Sequence, residues 1–151
     1  MRGSVPRQFP GALRLAEEEE EAVVAAVRDV MRSKRLFRFY GVSPTLRDAS
    51  KVRELEQAFA ARMGTAHALA VNSGTSALVC ALVGMEIGPG DEVIVPAYTW
   101  VSTASAVIAV GAVPVVAEVD DSLTLDPVDV ERKLTPRTKA LLPVHMRGNT
   151  A

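Results

Sequence analysis

The chain has 151 residues, 48% hydrophobic and 23% charged, enough for one domain with its own core and too apolar for a disordered tail. Its 17 Lys and Arg against 18 Asp and Glu leave a formal net charge of -1, so nothing global attracts nucleic acid or an anionic membrane. The single cysteine, Cys80, excludes an internal disulfide. The polar, Pro-containing start is unlike a signal peptide, and Gly111 and Pro114 break the longest apolar stretch before it could span a bilayer, so a soluble, cytoplasmic protein is expected.

Met1 to Leu15 has no sustained period and reads as an extended arm. From Ala16 to about Arg35 a helix is predicted: Glu17 to Glu21 open it, Val23, Val24, Val27, Val30 and Met31 form an apolar face, and Arg28, Arg32, Lys34 and Arg35 close it, which complements the helix dipole. Leu36-Phe37-Arg38-Phe39-Tyr40-Gly41 then sets aromatics around an arginine. That segment reads either as a hydrophobic clasp or as a place where Arg38 and Tyr40 meet an anionic substrate. A second helix follows, with Ser50 as N-cap, Val52, Leu55, Phe59 and Met63 at helical spacing, and Gly64 as its stop.

The stretch from Ala68 to Gly84 reads as a buried strand (Ala68 to Val71), a polar bend (Asn72-Ser73-Gly74-Thr75-Ser76) and a helix from Ala77, with Cys80 as a small buried hydrophobe on its apolar face. The bend matters most. The first N–H groups of a helix lack internal partners and sit at the positive end of its dipole, Gly74 permits close approach, and Ser73, Thr75 and Ser76 add hydroxyls, so an anion such as phosphate fits there. Plain helix capping explains the same residues. No glycine-rich loop ending in Lys and Ser/Thr is present, and Gly88-Pro89-Gly90 precedes a strand instead of following one, which lowers ATP and NAD as ligands.

Beyond the Gly88–Asp91 turn come a strand over Val93 to Val95 ending at Pro96, a helix over Thr99 to Val110 closed by Gly111, and a strand over Val113 to Val119. A helix starting at Asp126 and Pro127 and a fourth strand over Ala140 to Val144 complete the pattern. The β-α-β-α-β-α-β order implies an α/β fold: a mostly parallel sheet with helices on both faces. Ligands in such sheets collect beyond the carboxyl ends of the strands. There the chain displays the Asn72–Ser76 bend, Trp100, Asp120, Asp121 and the Val144–Gly148 segment. Trp100, the sole tryptophan, either fills the helix–sheet core or stacks on a flat ligand; beside an anion site it suits an aromatic ring carrying a phosphate, and pyridoxal 5′-phosphate (PLP) has that shape.

Asn72-Ser73-Gly74-Thr75-Ser76-Ala77-Leu78, Gly88-Pro89-Gly90-Asp91-Glu92-Val93-Ile94-Val95-Pro96-Ala97-Tyr98-Thr99-Trp100 and Pro143-Val144-His145-Met146-Arg147-Gly148 together resemble the amino-terminal part of the DegT/StrS-type sugar aminotransferases. The resemblance implies part of a fold type I PLP-dependent large domain over residues 46–151, preceded by an arm, helix and aromatic segment over 1–45. It implies Gly74, Thr75 and Ser76 at the cofactor phosphate and Trp100 on the pyridine ring. It also implies amino transfer from a donor to a nucleotide-linked keto-sugar or a keto-cyclitol, in a homodimer. The family's Schiff-base lysine and pyridine-pairing carboxylate belong to a region beyond Ala151. Lys133 and Lys139 fall at the opposite sheet edge, Lys139 about 16 Å from the cofactor edge. Lys34 and Lys51 lie on earlier helices, so no catalytic residue and no metal ligand is assigned in this chain. An in-frame continuation of the gene is therefore expected. A PLP-dependent sugar dehydratase of the same family and a noncatalytic phosphate-binding fragment are the alternatives.

Overall fold

The computed structural model describes residues 16–34, 36, 38, 50–148 and 150. The amino-terminal arm and most of the aromatic segment, Tyr40 included, lie outside the described residues. The chain divides into two compact units, Met1–Ala70 and Val71–Ala151.

In the first unit, α1 (Glu17–Ser33) has four glutamates in its first turn; Glu19 accepts the Ala16 N–H at 2.8 Å, and Lys34 ends the helix at a positive φ of 56°. Its apolar face is uncovered: Val23, Val24, Val27 and Met31 are 48–63% exposed. Helix α2 (Lys51–Met63) starts and stops where expected, with the Ser50 hydroxyl accepting the Arg53 N–H and Gly64 closing it in the left-handed region. Buried Glu56 accepts the Ala70 N–H at 3.1 Å and the Arg38 guanidinium at 3.0 and 3.2 Å. Those bonds, the Ala70 N–H first, hold the Glu56 carboxyl below the usual carboxylate range.

The expected strand over residues 68–71 forms no ladder with any described strand. Side-chain chemistry replaces it at Ala70, whose N–H is taken by Glu56.

The second unit holds α3 (Gly74–Gly84), β1 (Glu92–Pro96), α4 (Ser102–Ala109), β2 (Val113–Ala117), α5 (Pro127–Lys133) and β3 (Thr138–Leu141). The strands form a parallel sheet in the order β2-β1-β3, so three of the four expected strands are present and all run the same way. Every residue of β1 is buried. Val93 and Val95 pack with Leu82, Ile87, Ala106, Val107 and Ala112, while Ile94, on the opposite face by strand alternation, is also fully buried; both faces of β1 are therefore covered. Gly111 closes α4 at φ 81°, and a Cβ there would come within 3.0 Å of Pro89, so that turn requires glycine twice over. Cys80, expected inside, is exposed.

Polar side chains cap α5 and fasten the elements to one another. Asp126 caps α5 by accepting the Val128 N–H at 2.9 Å, with Pro127 at the first helical position. Asp129, buried on α5, accepts the Glu118 N–H at 2.8 Å and pairs with Lys133, whose ammonium also donates to the Val116 carbonyl at 2.6 Å; α5 is thereby fastened to β2. At the start of β1, Glu92 is 5% exposed and accepts the Thr135 hydroxyl and the Arg137 guanidinium, which joins the segment leading into β3 to β1.

Thr135 first and then Arg137 hold the Glu92 carboxyl below the usual carboxylate range. Its folded-state pKa is depressed, so its contribution to stability is complete above the unfolded glutamate value of about 4.3 and is lost as pH falls through the lower folded value. Glu92→Gln is expected to lower the thermal midpoint at neutral pH, with the gap from wild type narrowing below about pH 4. A gap independent of pH would rule out a charged clip.

Candidate functional site

Because the strands are parallel, Pro96, Ala117 and Leu141 end β1, β2 and β3 at one edge, and the connections after them leave from that edge. Helix α3 begins at Gly74, earlier than the expected Ala77, so the hydroxyls of the bend lie in the helix's first turn. Ser73 is its N-cap, accepting the Ser76 N–H at 3.0 Å on the side chain and the Ala77 N–H at 3.0 Å on the carbonyl. The N–H groups of Gly74 and Thr75 keep no partner among the described residues, as the helix's first donors. Ser73 Oγ donates to Ser76 Oγ at 3.0 Å, and Ser76 Oγ donates to Asn72 Oδ1 at 2.7 Å.

Thr75 faces elsewhere. Its hydroxyl donates to Ser102 Oγ, 2.9 Å away on the first residue of α4 and two residues beyond Trp100. One hydrogen bond thus joins the hydroxyl turn to the loop bearing Trp100. That loop is braced at both ends: Ala97 N–H donates to the Ala117 carbonyl at 2.7 Å, Thr103 N–H to the Trp100 carbonyl at 3.0 Å, and the Thr99 and buried Thr103 hydroxyls meet at 2.8 Å. These turn bonds also explain why α4 begins at Ser102 and not at Thr99. Trp100 itself is 70% exposed, so it does not fill the core.

The other residues singled out in the sequence are placed as follows. Asp120 accepts both the N–H and the hydroxyl of Ser122, and these bonds, the hydroxyl first, hold its carboxyl below the usual range. Arg38 pairs with Glu56 inside the first unit. Of the lysines, Lys51 pairs with Glu54 at 2.8 Å, Lys133 is bound to Asp129 and Val116, Lys139 lies within β3, and Lys34 terminates α1. Sequence reasoning missed Ser102. Its only local sign is a hydroxyl residue close after Trp100, and its partner Thr75 is 27 positions away.

The model of the DegT/DnrJ/EryC1/StrS aminotransferase family matches residues 17–151. The chain belongs to that family. It is 46% identical over 152 residues to dTDP-3-amino-3,4,6-trideoxy-alpha-D-glucose transaminase of Streptomyces venezuelae, an alignment covering 99% of this chain and 38% of the relative. The crystal structure of 3-amino-5-hydroxybenzoic acid synthase superposes with a TM-score of 0.79 at 40% identity, over 95% of this chain and 35% of the other. The PLP form of the sugar aminotransferase Spr1654 from Streptococcus pneumoniae, itself described as putative, superposes at 0.72 and 33% identity, over 87% and 31%. The matched part of the chain spans 26–38% of the length of three such curated relatives. Its α/β fold is that of the PLP-dependent fold type I aminotransferases in this family.

The residues at the sheet edge fit PLP. A Cβ placed on Gly74 would meet nothing within 4 Å, so the backbone there is open to close approach. The Gly74 and Thr75 N–H groups are unpartnered among the described residues, the Ser73, Thr75 and Ser76 hydroxyls lie on the same turn, and a largely exposed indole stands on the neighbouring loop.

Proposed function

We propose that this chain carries the phosphate-binding and ring-stacking part of a PLP-dependent aminotransferase that transfers an amino group from a donor to a nucleotide-linked keto-sugar or a keto-cyclitol, acting as a cytoplasmic homodimer. The observation that carries the reading is the Thr75–Ser102 hydrogen bond, which sets the hydroxyl turn beside the Trp100 loop at the carboxyl edge of a parallel sheet. Family membership supports the reaction class.

When bound, PLP supplies an electron sink for carbon–hydrogen bond breaking and proton transfer. The chain's own residues bind and orient. The free N–H groups of Gly74 and Thr75, at the positive end of α3, would receive the phosphate, and the Thr75 and Ser76 hydroxyls, now bonded to Ser102 and Asn72, would turn to it. The exposed Trp100 ring offers a flat apolar face that fixes the cofactor ring and excludes water from one side. In the second unit Lys133 is bound to Asp129 and Val116 and Lys139 lies second in β3, so neither is assigned as the amine that would bond the cofactor.

The test uses the protein encoded by the complete reading frame. With PLP, it is expected to aminate a nucleotide-linked keto-sugar or a keto-cyclitol, and Trp100→Ala should weaken PLP retention by at least about two- to tenfold through lost stacking. A PLP-loaded protein inactive toward both substrate classes would overturn the reaction. Unchanged retention in Trp100→Ala would overturn the stacking.

A further inference from the structure

We propose that Arg147 is a substrate-binding residue whose guanidinium receives an oxyanion of a substrate, either the diphosphate of a nucleotide-linked keto-sugar or the carboxylate of an amino-acid donor. The inference rests on the reading of the carboxyl edge as the cofactor site of an aminotransferase.

The topology places the residue. The chain runs from β1 through α4 to β2, then back past β1 through α5 to β3, so the direction of winding reverses beside β1. In open parallel sheets such a reversal leaves a crevice at the carboxyl ends of the flanking strands, here β1 and β3, and ligands bind there. The Leu142 N–H still donates to the Ile94 carbonyl at 2.9 Å, so the two chains approach that edge side by side. The segment after β1 then carries Trp100, and the segment after β3 carries Arg147.

Its charge is uncommitted. Of the other cations in the second unit, Arg132 and Lys133 pair with Asp129, Arg137 pairs with Glu92, and Lys139 lies within β3. Arg147 is exposed, with no hydrogen-bond or ion-pair partner among the described residues, and no acidic residue occurs from Leu142 to Ala151. The turn around it is held by backbone bonds, Met146 N–H to the Val144 carbonyl at 2.8 Å and Gly148 N–H to the His145 carbonyl at 3.2 Å. Arg147 sits in that turn at φ 54°, a conformation that asparagine or glycine adopts more readily. The fold therefore gives no reason for an arginine here, whereas the substrates do: a guanidinium fork matches a carboxylate or a phosphate with two parallel hydrogen bonds. Arg38, the cation that the sequence offered for an anionic substrate, is taken by Glu56 instead.

The experiment uses the complete, PLP-loaded protein and compares wild type with Arg147→Gln, Arg147→Lys and Arg147→Asn, the last suited to the left-handed turn. Titration calorimetry with thymidine and uridine 5′-diphosphates and with L-glutamate reads binding without turnover. Arg147→Gln and Arg147→Asn are expected to weaken at least one of these probes by about ten- to hundredfold, the range for hydrogen bonds to a charged group, and the class of probe that responds identifies the oxyanion's source. Arg147→Lys, which keeps the charge and loses the fork, should recover part of the loss, while PLP retention and the thermal midpoint stay at wild-type values in all three variants. Unchanged binding of every probe in Arg147→Gln, or no binding of any probe by wild type, would overturn the role of Arg147 and leave the cofactor site standing. Loss of PLP from Arg147→Gln would place the guanidinium on the cofactor and overturn the substrate role equally. A wild-type protein that retains no PLP would overturn the cofactor reading, and this inference with it.

Discussion

The purified 151-residue chain is expected to show no amino transfer, with or without added PLP. Its four lysines are at α1's end, on α2, on α5 and within β3, and two of them are held in ion pairs. Neither lysine of the second unit stands at the carboxyl edge, Lys133 being bound on α5 and Lys139 lying second in β3, so the cofactor would lack the amine that bonds it and moves the substrate's proton. The same chain should be poorly soluble. Leu55, Phe59 and Met63 on α2 are 53–60% exposed, the face of α1 is uncovered, and no described strand pairs with the outer edge of β3. Sedimentation and a coupled amino-transfer assay check both statements. Turnover by the purified chain would show that the lysine assignment is wrong.

Leu82→Ala is expected to destabilise the protein by about 2–5 kcal/mol, the range for emptying a packed leucine site. Leu82 is 1% exposed and belongs to the cluster that joins α3 and α4 to β1 through Val93, Val95, Ala106 and Val107. That cluster underlies both segments of the proposed cofactor site, because α3 carries the hydroxyl turn and α4 follows Trp100. Leu82→Met, which conserves volume, should cost less than about 1.5 kcal/mol. Denaturant unfolding of the complete protein measures both. A change for Leu82→Ala within about 0.5 kcal/mol, as at an ordinary surface position, would show that this cluster does not hold the fold.

What the sequence made legible was what local chemistry determines. Val93-Ile94-Val95 is a continuous apolar run because its strand is buried on both faces, and the Asp126-Pro127 and Ser50 signals mark real helix starts. Boundaries shifted where side chains took over backbone partners. Ala70 N–H went to Glu56 instead of a neighbouring strand, Ser73 started α3 at Gly74, and the Thr99–Thr103 turn delayed α4. Pro143 cannot donate to a ladder, and β3 ends at Leu141, short of the expected Val144. In the site, the residue types of the bend and the indole were readable. Their junction was not, because Thr75 and Ser102 meet only after two helices have packed, and the Glu92–Arg137 clip is equally nonlocal.

The central claim is that the first turn of α3 holds the cofactor's phosphate, and the most direct measurement is how the affinity of the complete protein depends on that phosphate. Thr75→Ala combined with Ser76→Ala removes two hydroxyls and leaves the backbone donors of Gly74 and Thr75 in place. Hydrogen bonds to a charged group contribute about 1.5–3 kcal/mol each, so PLP binding should weaken by at least about tenfold. Pyridoxal, which lacks the phosphate, should bind the variant as it binds wild type, whereas Trp100→Ala should impair both ligands. Equal loss of both ligands in the hydroxyl variant, with its fold intact, would make the turn a structural cap and contradict its assignment as the phosphate cup.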